Sequence, residues 1–337
     1  MAGKAAPVEI VVPGLFGPLP GVDPGQRFPF LDRLLGRARR GDAPLQRDTT
    51  RTLFDLCGMP LAPDDEPATG AIAALGLELP AELRAWMFAD PVYLKADQDR
   101  LMLFDQTHFE LGDADCMAFK EAFNQHFSDR DIRLHIARRR HWFVSMPTPM
   151  RVRSHALEEV SGRSIEQFMP KGRDAGACRQ LLNEIQMLFH GLEINQRRAE
   201  QGQLPVSGLW LHGFGELPNA NSVKPRARRA IGADPVLRGI ATLVEGHHAE
   251  VQHDPLTAGD LLVWDAIMPS VLDADPRAWV QSVERFSRWL EPQVSSALRK
   301  QSFHIHPADG SVYRFTPGMR KRFWRRGWRL VEHLASS

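Results

Sequence analysis

Short apolar runs of strand length alternate with amphipathic stretches of helix length through most of this chain, and that alternation is its strongest constraint. Val8 to Val12 is a β-branched run ended by Pro13-Gly14, the mark of a buried strand entering a loop. Helical spacing follows over Phe28 to Arg40 and Arg51 to Cys57, then a Pro- and Asp-rich loop over Met59 to Pro67 and an Ala-rich helix over Ala68 to Leu75. Later, Asp174 to His190 places Leu181, Leu182, Ile185, Leu188 and Phe189 on one helical side, and Asn195 to Gln201 predicts a second helix stopped at Gly202. Val206 to Leu211 and Asp260 to Trp264 read as strands, Pro276 to Leu290 as a helix, and Ser302 to His306 and Val312 to Phe315 as closing strands before a basic helix. Strands alternating with helices predict an α/β fold whose sheet is mostly parallel and flanked by helices.

One segment has a different texture. Val92 to Lys95 and Arg100 to Phe104 predict paired strands around Asp97-Gln98-Asp99, Asp113 to Phe127 a helix, and Ile132 to Ile136 and His141 to Met146 two further strands. This order is that of a small inserted α+β domain, residues 88–148, interrupting a discontinuous core of residues 1–87 and 149–337.

Composition narrows the function classes. The 337 residues are 43% apolar and 25% charged, an ordinary globular balance that excludes wholesale disorder. Lys plus Arg is 42 and Asp plus Glu is 41, so net charge points to neither nucleic acid nor a membrane surface. Cys57, Cys116 and Cys178 lie far apart without a metal-type cluster, which fits a reducing compartment. With no membrane-length apolar stretch and a Pro-broken N-terminal run, a cytoplasmic protein is expected.

Four local patterns could carry chemistry. The strand Leu209-Trp210-Leu211 runs into His212-Gly213-Phe214-Gly215, where glycines let backbone N–H groups approach an anion; the plainer reading is a tight turn. Asn195 and Arg198, one turn apart, could hold a phosphate or carboxylate, or serve as an N-cap and a solvent-facing cation with Gly202 as C-cap; the spacing favours the caps. His247, His248, His253 and Asp254 form the densest histidine group, in what reads as a polar surface loop. The run Arg320 to Arg329 interleaves basic residues with Phe323, Trp324 and Trp328, and predicts a helix docked through its aromatics.

Residues 181–218, LLNEIQMLFHGLEINQRRAEQGQLPVSGLWLHGFGELP, resemble the most recognisable segment of a bacterial group known as RpfE-type regulatory proteins. That group in turn resembles the archaeal-type cofactor-independent phosphoglycerate mutases, of the alkaline-phosphatase-like superfamily. Asn195, Arg198, Gly202, Pro205, Trp210, Gly213 and Gly215 match the shared pattern, whereas Ser207-Gly208 and His212-Gly213-Phe214 depart from its usual Asn-Ser and Trp-Gly-Gly. The opening VEIVVPGLFGP, Leu261 to Leu290 and Phe323-Trp324-Arg325-Arg326 also fit the regulatory group. The resemblance implies an alkaline-phosphatase-like α/β fold.

It also implies two metal ions and a Ser or Thr nucleophile, which need several carboxylates and histidines around an activated hydroxyl. Where the mutases carry an Asp-Gly ligand after the first strand, this chain has Pro13-Gly14, and after the late strand it offers Asp265 with no nearby histidine. Thr49, Thr50 and Thr52 are available hydroxyls without a nucleophile motif. The expectation is therefore a non-catalytic or regulatory protein without a metal cofactor, binding an anionic metabolite, phosphorylated or carboxylated, near Asn195, Arg198, Trp210, Gly213 and Gly215. One alternative is an active mutase or phosphatase using manganese or zinc on His247, His248, His253, Asp254 and Asp265. Another is a binding module acting through the basic aromatic C-terminus.

Overall fold

The computed structural model describes residues 6–59, 61–62, 65–81, 84–98, 100–223, 227, 229–251, 255–297, 301–321 and 328–334. The chain opens with strand β1 (Val8–Val11), helix α1 (Pro29–Arg37), strand β2 (Arg39–Asp42) and helix α2 (Thr49–Leu56). Helix α3 (Thr69–Gly76) precedes strands β3 (Ala85–Asp97) and β4 (Arg100–Phe104), helix α4 (Asp113–His126) and strands β5 (Arg133–Arg138) and β6 (His141–Met146). Helices α5 (Leu157–Val160), α6 (Ala175–His190) and α7 (Glu193–Glu200) lead to strand β7 (Gly208–Gly215). Then come β8 (Arg229–Ile231), α8 (Pro235–Leu243), β9 (His247–Ala249), β10 (Asp260–Val263), α9 (Met268–Leu272), α10 (Pro276–Ala297), β11 (Phe303–His306) and β12 (Ser311–Phe315). Among the described residues no helix is long and apolar enough to cross a membrane.

These elements divide into two compact units, residues 1–61 with 220–337, and residues 62–219. The first holds a seven-stranded mixed sheet in the order β2-β12-β11-β1-β10-β8-β9. Its centre is parallel, with β1 between β11 and β10, and β8 and β9 continuing outward; only β12 runs against the rest, pairing antiparallel with both β11 and β2. A parallel strand covered on both faces reads as a near-continuous apolar run, which is why every residue of β1 is buried. Val8, Ile10, Leu262, Phe303 and Ile305 line one side of this sheet, packed with Trp279, Val283 and Phe286 of α10. Trp279 also donates its indole N–H to the Gly14 carbonyl at 2.9 Å.

The second unit is a five-stranded antiparallel sheet, β4-β3-β6-β5 with β7 on the other side of β3. Its core gathers Met87 and Ala89 of β3, Phe119 and Phe123 of α4, Trp142 and Val144 of β6, and Ile185 and Phe189 of α6. The expected strand, strand, helix, strand, strand order lies within it, so segment 88–148 is part of a larger unit that starts at Ala62 and ends at Asn219.

Three expectations need correction. Strand β7 does not join the parallel sheet: it pairs antiparallel with β3 from Trp86 to Val92, and α3 follows it into this unit because Gly70 sits against Met87. The helix expected to reach Arg40 stops at Arg37, because Arg39 to Asp42 extend to pair with β12. His247 and His248 lie on the edge strand β9 and not in a loop. Of the basic tail, residues 322–327, including Phe323, Trp324, Arg325 and Arg326, lie outside the described residues. Trp328 packs against the first unit's core beside Phe16 and Tyr313.

Candidate functional site

In the first unit the polar residues of a buried sheet face converge. β1 and β11 are parallel neighbours with Glu9 opposite His304 and Val11 opposite His306. Side chains two apart share a face of a strand, so Glu9, His304 and His306 point the same way. Glu9 is 5% exposed and His306 3%, while the His304 side chain is 22% exposed. The Glu9 Oε2 lies 2.7 Å from His306 Nε2 and 3.1 Å from His304 Nδ1.

Further contacts extend this group. His306 Nδ1 is 2.6 Å from Gln46 Oε1, and the Gln46 amide N–H donates to Asp55 Oδ2 at 2.8 Å. Gln46 is itself held by its backbone, its carbonyl accepting from the Gly310 N–H at 2.6 Å. Burial alone would raise the Glu9 carboxyl, but the hydrogen bonds and charges of His304 and His306 outweigh it and hold the group at about 2. Among the described residues, Glu9, His304 and His306 are the one group of three whose donor atoms lie close enough to hold a metal ion, all within 4.8 Å of one another.

In the second unit, the glycine-containing end of β7 is strand and not the expected turn after it; it does meet an anion, one that belongs to the chain. Gly213, at φ +67°, points its N–H at Glu66 Oε1 (3.2 Å) and Ser154 Oγ (3.1 Å). Ser154 donates its hydroxyl to Glu66 Oε1 and its N–H to Glu66 Oε2 at 3.1 Å. Burial pushes the Glu66 carboxyl up, against the pull of these donors and of the nearby His212. Burial works against charge on His212 as well, yet its 2.8 Å contact with Asp90, with Glu158 and Glu66 adding, shifts the imidazole upward. The ring stacks on Phe88 at 4.8 Å. Since the Ser154 hydroxyl is spent on Glu66, this group lacks the serine–imidazole hydrogen bond of an activated nucleophile.

The residues picked from the sequence are placed as follows. Asn195 is buried inside α7, whose N-cap is Leu192, and its amide bridges the Phe189 and Val206 carbonyls and the Val206 N–H at 2.7 to 2.9 Å. Arg198 is buried as well and bonds the Leu204 and Glu110 carbonyls and, at 2.6 Å, Asp115. The preferred readings of an N-cap and a solvent-facing cation are therefore corrected: both side chains are clamps inside the second unit. Gly202, at φ +70°, does follow the C-cap of α7. Trp210 donates its indole N–H to the His155 carbonyl, and Gly215 lies against Ala68.

Of the alternative metal set, the described residues His247, His248 and Asp265 do not form a group of three with close donor atoms. His248 bonds the Gly232 carbonyl, His247 is exposed, Asp265 is exposed beyond β10, and His253 and Asp254 lie outside the described residues. The sequence does not single out the Glu9, His304 and His306 group, because its halves are separated by almost the whole chain. Two signals were present: an acid inside the apolar run Val8 to Val12, and histidines at strand period in Phe303-His304-Ile305-His306.

No protein-family model matches the chain. It is 21% identical over 197 residues, 57% of its length, to the 2,3-bisphosphoglycerate-independent phosphoglycerate mutase of Methanosarcina mazei, 49% of which is covered. Against the enzyme of that name from Pyrobaculum neutrophilum it is 31% identical over 110 residues, 30% of this chain and 25% of that one. The chain spans between a fifth and a half of the length of the curated relatives it matches. Among solved structures, the PH0037 protein from Pyrococcus horikoshii aligns over 93% of this chain and 88% of its own, with a TM-score of 0.57 and 14% identity. The chain shares its α/β fold with the PH0037 protein and is distantly similar in sequence, over part of its length, to 2,3-bisphosphoglycerate-independent phosphoglycerate mutases.

Proposed function

We propose that this protein is a regulatory, non-catalytic member of its scaffold class, in line with its resemblance to the RpfE-type regulatory group. The carrying observation is at the end of β1, the place where the resemblance puts a metal-binding Asp-Gly. Here the chain leaves the sheet through Val12, Pro13 and Gly14, all buried, and the Gly14 carbonyl is taken by Trp279. Proline offers no side-chain ligand, and a carbonyl already hydrogen-bonded in the core is a poor one. Directly after β10 the acid is Asp265, and it is exposed. Two cations held a few ångström apart need anionic ligands from several strand ends to offset their charge.

An anionic metabolite at Arg198 and Gly213 is left out of the proposal, because the protein's own carboxylates and carbonyls already engage those donors. The test is a phosphoglycerate isomerisation assay and a generic phosphate-ester hydrolysis assay on the full chain, each with manganese or zinc. No turnover above the metal-containing buffer is expected. Turnover that scales with protein and is lost in Asp265→Asn would overturn the reading.

A further inference from the structure

We propose that Glu9, His304 and His306 form a binding site for one divalent cation of zinc type, separate from the strand ends where the resemblance places a metal pair. Asp55 fixes which atoms of this group carry hydrogens. An ionised carboxylate only accepts, so the Gln46 amide must turn its NH₂ toward Asp55 and its Oε1 toward His306. Oε1 only accepts, so His306 Nδ1 carries a proton. In a neutral imidazole the other nitrogen is then a bare lone pair, and here that nitrogen faces a carboxylate oxygen at 2.7 Å. Two lone pairs do not sit that close with nothing between them. A positive centre belongs on that line, and either a proton on Nε2 or a metal ion supplies it.

Several features favour the metal. His304 brings a second imidazole nitrogen to the same carboxylate, at 3.1 to 3.2 Å from its two oxygens, which a simple two-member ion pair does not require. Two imidazoles and a carboxylate are the donor set of a borderline cation such as Zn²⁺, and leave a fourth position open, whereas Mg²⁺ and Ca²⁺ favour oxygen ligands. The Gln46 and Asp55 contacts supply the outer hydrogen bond that orients a metal-binding histidine and fixes its tautomer. Ligand atoms on a tetrahedral ion sit roughly 3.3 Å apart for bonds of about 2.0 to 2.1 Å, so the Glu9–His306 contact need open by only about half an ångström. Glu9 and His306 are sealed in the sheet face, and His304 is the ligand that meets solvent, which makes its side the entry. Arg314, opposite His304 on β12, is the nearest cation by register, and it is exposed, where water screens its charge.

Binding exchanges a proton for the ion: the Nε2 proton of His306 is released as metal enters, and the proton that His304 directs at Glu9 moves from Nδ1 to its other ring nitrogen. No redox or covalent step is involved. The inference does not depend on the protein being non-catalytic, since metal binding is read without any assay of turnover.

The experiment uses the full chain, stripped with chelator and titrated with Zn²⁺ by calorimetry and with Co²⁺ by visible absorption. The wild type should bind one equivalent, show the intense visible bands of four-coordinate Co²⁺, and gain thermal stability. His304→Ala, at the least buried ligand, should keep its fold and lose at least tenfold in affinity, and Gln46→Ala should lose about 10- to 100-fold through the freed His306 ring. His253→Ala serves as control and should bind as the wild type does. Absence of binding, equal binding by wild type and His304→Ala, or loss confined to His253→Ala would each overturn the proposal. Circular dichroism of the stripped variants separates lost ligands from lost folding.

Discussion

Single residues hold the glycine-containing end of β7 and the clamps of the second unit together. At Gly213 the backbone is left-handed and a Cβ would meet the Thr69 hydroxyl and, at 3.1 Å, the Gly70 nitrogen, so Gly213→Ala carries both strain and a clash. We expect it to destabilise by about 2 kcal/mol or more, the left-handed cost alone being roughly 1 to 2; an effect under ~0.5 kcal/mol in urea unfolding would contradict this packing. Two titrations also belong at this scale. Burial, with Lys120, Arg84 and Arg133 adding, holds the His135 imidazole down at about 4. A histidine depressed in the fold is protonated first in the unfolded chain, so stability should fall as pH drops from 6.5 to about 4. Glu9 is depressed from 4.5 to about 2, so its contribution is complete above 4.5 and is lost as pH falls toward 2. Each step amounts to at most about 3.5 kcal/mol at ~1.4 per pH unit, less where solvent screens the group. Denaturant unfolding across pH should show both, and His135→Gln should remove the upper one only.

At the scale of elements, α4 and α7 are tied by one side chain, Arg198, whose guanidinium reaches Asp115 and two carbonyls. Arg198→Ala leaves these acceptors unpaired in a buried place and should cost about 3 to 5 kcal/mol. A loss below ~1 kcal/mol would return Arg198 to the role of a ligand-binding cation. The elements also show what was legible beforehand. The order strand, strand, helix, strand, strand was readable because Asp113 to Phe127 has its acids at the N-terminus and apolar residues at helical spacing, and the flanking strands alternate. Strand β7 was assigned to the wrong sheet for a physical reason: most of its residues are buried, so Gly208 to Gly215 looks like a core parallel strand although it pairs antiparallel. β8 and β9, three residues each, are too short to leave a periodic signal. The Glu9–His306 contact spans 297 positions, and only the parallel register of β1 with β11 creates it.

For the whole molecule, each unit has its own core and sheet, so unfolding need not be a single transition. Hydrogen exchange should resolve the acid steps by unit, with β5 and β6 losing protection between about pH 6.5 and 4, and β1 and β11 at lower pH. Simultaneous loss in both would contradict the assignment of His135 and Glu9 to separate stability units. The fold is shared with the PH0037 protein, and on the proposed reading its acids and histidines no longer serve a metal pair: one acid lies beside two histidines within the sheet face, and buried proline and glycine stand where the first strand ends. The most direct test of that redistribution is metal stoichiometry, measured by elemental analysis of the full chain equilibrated with zinc and then freed of unbound ion. The account predicts one zinc per chain, lost in His304→Ala; two per chain, both retained in that variant, would contradict it.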